Sequence, residues 1–93
     1  MAETSFPQDQ LSADEKFKAH FQRARKGVLK FLDEKGGKLS MNDLHDFSLN
    51  KFFIQHQRFS ELMESLVNEG LVDFDWSIMS AAITPKGKEF ISA

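Results

Sequence analysis

Few residues of this 93-residue chain are of a type that does chemistry. There is no cysteine, so a thiol nucleophile, a disulfide and a thiolate metal site are all excluded. The three histidines, His20, His45 and His56, are far apart in sequence, and each falls beside expected helix surface. Asp43, His45 and Asp46 resemble a carboxylate–imidazole cluster, but positions i, i+2 and i+3 do not share one helix face. Asp73 and Asp75 point the same way along a strand and read as its solvent side. No H-E-x-x-H spacing and no glycine-rich phosphate loop occurs. The expectation is a protein that is not an enzyme and needs neither cofactor nor metal.

What remains is binding chemistry, and charge bears on it. The formal net charge is −2, which is not the basic footprint of a dedicated nucleic-acid binder. The charges are unevenly spread. Residues 16–38 carry Lys16, Lys18, Arg23, Arg25, Lys26, Lys30, Lys35 and Lys38 against Asp33 and Glu34. Residues 39–84 carry Lys51 and Arg58 against Asp43, Asp46, Glu61, Glu64, Glu69, Asp73 and Asp75. No apolar run approaches the roughly 20 residues of a membrane span, and the polar N-terminus lacks a signal-peptide core. The expected location is cytoplasmic, with no membrane partner.

Such groups must be positioned by a small domain. A chain this short buries only about 60% of its unfolded surface. Ten phenylalanines and one tryptophan offset that, since each buries roughly 150–250 Å². Residues 1–11, which lack periodicity and contain Pro7, are expected to be a flexible tail, and residues 12–93 one domain. Ser12 and Glu15 have capping-box spacing, which predicts a helix over 13–35. Its stripe is Phe17, Phe21, Ala24, Val28, Phe31 and Leu32, and Gly36-Gly37 ends it. Leu11 and Leu29 lie off that stripe, which suggests a homodimer through this helix or cover for the domain edges. Leu39 suggests a short edge strand. Ser40 caps a second helix, 41–48, with Asp43 at its positive end. Leu49, Phe52, Phe53 and Ile54 are too apolar for a solvated turn and predict a buried connection or an extension of that helix. A third helix follows over 57–69, with Phe59, Leu62, Met63, Leu66 and Val67 inward and Gly70 as its stop. Val72, Phe74 and Trp76 alternate with Asp73 and Asp75, as in a half-buried strand. Met79, Ala81 and Ile83 return, completing a hairpin over 71–84. Thr84 caps a last short helix with Pro85 in its first position, and Phe90 and Ile91 can pack it on the body.

The fold class expected is α+β. The segments SLVNEGLVDFD and AAITPKGKEFI resemble the end of the recognition helix, the wing strands and the T-P-K-G-K turn of winged helix-turn-helix regulators of the MarR and PadR type. The resemblance covers roughly residues 25–92. It implies three helices, a two- or three-stranded wing hairpin with its tip at Ser77–Ser80, and a short C-terminal helix. A weaker resemblance links VLKFLDEKGGK, MNDLHDF and LVNEGLVDFDW to the small winged-helix proteins encoded with dissimilatory sulfite reductase.

The family resemblance implies a DNA-binding transcriptional regulator whose third helix enters the major groove. On that reading Gln57, Arg58, Glu61 and Asn68 face base edges, while Lys51, His56, Lys86 and Lys88 reach phosphates of double-stranded DNA. Glu61 and Glu64 oppose a polyanion, so this binding is expected to be weak and salt-sensitive. Three departures from the family pattern support an alternative. The connection after the second helix is longer and more apolar, the wing tip has no Lys or Arg, and the exposed face of the third helix is acidic. These suit a protein partner, with the domain as an adaptor or regulatory subunit of an enzyme complex.

Overall fold

The computed structural model describes residues 13–92. The expected tail over 1–11, and Ser12 of the capping box, lie outside the described residues. The architecture is α+β: four helices around a small three-stranded antiparallel sheet.

Helix α1, Ala13–Glu34, has 22 residues and spans about 33 Å. It stops at Gly36 and Gly37, whose φ angles of 96° and 87° suit residues without a Cβ. The Gly37 amide closes the end by donating to the Leu32 carbonyl at 2.8 Å. Ala24, Val28, Leu29 and Leu32 of α1 are all fully buried. Leu29 is therefore core and not an edge residue. Leu29 widens the buried stripe of α1 by one residue and offers nothing to a second copy.

Strand β1, Lys38–Ser40, pairs with β3, Ser80–Ile83, placing Leu39 opposite Ala81. Strand β2, Val72–Asp75, pairs with the other side of β3, so the order is β1-β3-β2. Leu39 thus lies in an edge strand, as its sequence context suggested.

Helix α2 is Met41–Phe52. Ser40 caps it by accepting from the Asp43 amide at 3.2 Å, and Asp43 faces the positive end of the helix dipole. The helix runs past the expected end at 48 because Phe52 has a place to go. Its ring lies where a Cβ on Gly27 would be, edge-on to Phe47 at 5.9 Å. His20 Nε2–H donates to the Phe52 carbonyl at 2.6 Å, a carbonyl that no longer has a partner within the helix. Phe53 then turns the chain at φ 58°. Its amide donates to the Leu49 carbonyl, and that of Ile54 to the Ser48 carbonyl. Ile54 is buried while Phe53 is 80% exposed. The apolar connection is thus mostly helix, with one side chain inside and one outside.

Helix α3, His56–Asn68, buries Phe59, Leu62, Met63 and Leu66. Val67, expected on that inner face, is 40% exposed. Gly70, at φ 75°, ends the helix. The last helix, α4, is Pro85–Ser92. Thr84 Oγ1 accepts from the Gly87 amide at 3.0 Å and donates to the Gly70 carbonyl at 2.7 Å. Gly87 is buried, and a Cβ there would meet the Leu71 carbonyl oxygen, which explains the small residue in T-P-K-G-K. Ile91 packs on the core as expected, but Phe90 stays exposed.

One core runs through all of these elements: Val28 and Leu32 of α1, Leu44 of α2, Leu62 and Leu66 of α3, and Leu71, Val72 and Ala81 at the sheet. Arg25 is the charged exception, 5% exposed. Its Nη2 lies 2.7 Å from Glu69 Oε1, joining α1 to the end of α3. That approach is close but poorly aligned, leaving Nε and Nη2 without a hydrogen bond among the described residues. Among the described residues no helix is long and apolar enough to cross a membrane.

Candidate interaction groove between the third helix and the hairpin

Strand β2 ends at Asp75, before Trp76, and this shapes the surface. Alternation had placed Trp76 inward with Val72 and Phe74. Val72 is buried and Phe74 half-buried, but Trp76 is 76% exposed. Its ring stands edge-on to Phe74, with centroids 4.2 Å apart. Met79, expected in the returning strand, lies in the turn at φ 49° and is half exposed. Its carbonyl accepts from the Met41 amide at 2.9 Å, tying the hairpin to the start of α2.

A groove of about 930 Å³ results between α3, the hairpin and the first turns of α2. From α3 come His56, Ser60, Glu64 and Asn68, spaced by four, and behind them Phe59, Met63 and Val67. The hairpin gives Asp73, Phe74, Trp76 and Met79, and α2 gives Met41, Asn42 and His45. Large exposed apolar groups that converge in this way mark contact sites.

The electrostatics are one-sided. Among the described residues Glu64 and Asp73 are the charged lining residues, and no Lys or Arg lines the groove. Both carboxylates are exposed and lack an ion-pair partner among the described residues. Their acidic neighbours are engaged: Glu61 with Arg58, Glu69 with Arg25, and Asp75 with Ser77. The Ser77 hydroxyl and amide both donate to Asp75 Oδ1 and hold its carboxyl below the usual carboxylate range.

At the α2 end of the groove the rings of His45 and His56 are 5.4 Å apart, and His45 stands edge-on to Phe59 at 5.0 Å. Sequence separation concealed this pair. His45 Nε2 is buried without a hydrogen-bond partner among the described residues. Two imidazoles fall short of a structural metal site. Among the described residues no three His, Asp or Glu side chains converge as ligands.

The residues expected to read DNA are dispersed. His56 and Asn68 line the groove. Gln57 is exposed in the first turn of α3. Arg58 pairs with Glu61 at 2.9 Å, and its guanidinium lies 4.5 Å from the Phe17 ring centroid. Lys86 and Lys88 are exposed on α4. Lys51 borders a separate hollow on the other side of α2, with Phe31, Lys35 and Phe47. The sequence reading missed Trp76, Met79, Met41 and His45. The available signal was W-S-I-M, an unusually apolar composition for a hairpin turn.

Comparison with protein-family models, curated proteins and solved structures returns no match.

Proposed function

We propose that this chain is a winged-helix-like domain that binds protein, acting as an adaptor or regulatory subunit. The element order and the cap at Thr84 support the winged-helix reading, with α3 in the position of a recognition helix and β2–β3 as the wing. One observation carries the functional reading: among the described residues, the α3–wing groove combines exposed Trp76 and Met79 with two carboxylates that have no ion-pair partner, and no Lys or Arg lines it. Phosphate contacts supply most DNA affinity and need cations or N–H donors. In a protein interface, by contrast, aromatic and methionine anchors are enriched.

The test places a photo-crosslinking amino acid at position 76 and, as a control, at exposed Lys26 on α1. A defined protein adduct formed only from position 76 is expected. A labelled duplex is titrated in parallel at about 50 and about 200 mM salt. Binding of the duplex at the lower salt, without any adduct specific to position 76, would establish the DNA-binding regulator instead.

A further inference from the structure

We infer that the α3–wing groove receives a basic amphipathic helix of the partner protein, an inference that rests on the protein-interaction reading above. Beyond Met1, the chain's methionines are Met41, Met63 and Met79, and all of them line this one groove together with its only tryptophan. They come from three different elements, so local sequence preference does not explain their convergence. Methionine is unbranched and polarizable and repacks around differently shaped apolar side chains. Met79 is half exposed, Met41 is half-buried, and Met63 is buried in the core, a lining that suits the ridged apolar face of a helix, which docks through anchors at i, i+3, i+4 and i+7.

Charge sets the polar side of the partner. Glu64 and Asp73 both line the groove, one from α3 and one from β2. With no cation lining the groove, a partner bearing Lys or Arg beside its apolar stripe meets both carboxylates, and an acidic partner is repelled. Length follows from α3. His56 to Asn68 spans about 18 Å, so about 12 residues of partner helix run the length of the groove. The chain's own basic helix does not qualify, because the apolar face of α1 is already buried in the core.

The experiment uses the full chain and Trp76 emission as the readout. Three synthetic peptides of about 14 residues are titrated. The first has Leu and Lys at helical spacing. The second has the same composition in strict alternation, as for a strand added to the free edge of β2. The third has helical spacing with Glu in place of Lys. A blue shift is expected with the first peptide, and at least about ten-fold weaker binding with the other two. Glu64→Gln with Asp73→Asn should weaken the first peptide about ten-fold, and the charge-reversed pair Glu64→Lys with Asp73→Lys should abolish its binding. Circular dichroism must stay unchanged in both variants. Equal binding of the alternating or acidic peptide overturns the inference, as does undiminished binding by either variant. An adduct from position 76 to an acidic or extended segment also overturns it while keeping the protein-interaction reading. Duplex binding with no such adduct removes both.

Discussion

Two hollows flank helix α2, and they differ in charge balance and in the exposure of their apolar groups. The smaller, of about 630 Å³, lies between the end of α1, β1 and α2. Its aromatic groups satisfy each other: Phe31 and Phe47 stack with centroids 3.9 Å apart at an interplanar angle of 7°, and Lys35 Nζ lies 5.5 Å from the Phe31 centroid. Its charges balance as well, with Lys35 and Lys51 against Asp43 and Asp46. The larger hollow has exposed anchors and carboxylates of one sign. Aromatic and charged residues are common to both, so composition alone does not distinguish a binding site. The distinguishing features are the balance of the lining charges and the exposure of the large apolar groups.

The largest effect that separates the two hollows is on stability. Phe59, which floors the groove and is 4% exposed, should cost about 3 kcal/mol or more as Phe59→Ala. Phe47→Ala, in the half-buried stack of the smaller hollow, should cost distinctly less. Urea unfolding midpoints at constant m-value measure both, and equal losses would mean that the two hollows are packed alike.

Next comes binding. Trp76→Ala should weaken the basic amphipathic peptide by about 2 kcal/mol while changing stability by no more than about 0.5 kcal/mol, as for other exposed side chains. Titration by calorimetry and chemical denaturation report the two quantities separately. A large loss of stability would make Trp76 a structural residue.

A smaller effect contrasts the acidic pairs. Glu64→Gln with Asp73→Asn should reduce both the affinity for that peptide and its salt dependence. Asp43→Asn with Asp46→Asn, in the balanced hollow, should leave both unchanged. Parallel titrations across a salt series decide between them, and an equal loss from the two pairs would point to nonspecific attraction.

The smallest effect is at the β2–β3 turn. Because Ser77 depresses the Asp75 carboxyl, the folded state favours its ionised form. Its stabilising contribution is complete above the ordinary Asp value of about 3.9 and fades as pH falls through the lower folded value. A carboxyl NMR titration should place the Asp75 midpoint below the ordinary Asp value, and Ser77→Ala should raise it. An Asp75 midpoint unmoved by Ser77→Ala would remove the turn as its cause.

Much of the fold was legible because its signals are local. Ser40 and Thr84 cap helices, Gly36, Gly37 and Gly70 end them, and Val72 alternates with Asp73. Each is decided within a few residues along the chain. The candidate site was legible only in outline. The acidic face of α3 and the uncharged wing tip could be read directly. The stacking of Arg58 on Phe17 could not, nor could the displacement of Lys51 to the far side of α2, because both depend on how the helices rotate when they pack. Leu29 and Trp76 went astray for related reasons. Leu29 is fully buried in the core although it lies off the main stripe of α1, and Trp76 lies one residue past the end of its strand.

The sequence by itself determined the order and type of the elements, since caps, glycine stops and apolar periodicity act over a single turn of chain. It also determined that the third helix and the β2–β3 hairpin would be poor in cations. Only the tertiary structure decided which groups were left without partners. Leu29 and Arg25 went into the core. Phe52 lengthened α2 by finding the gap over Gly27. Met41, Met63, Met79 and Trp76 came together from distant positions around two carboxylates. Long-range packing decides exposure and convergence, and no local signal in the chain carries that information.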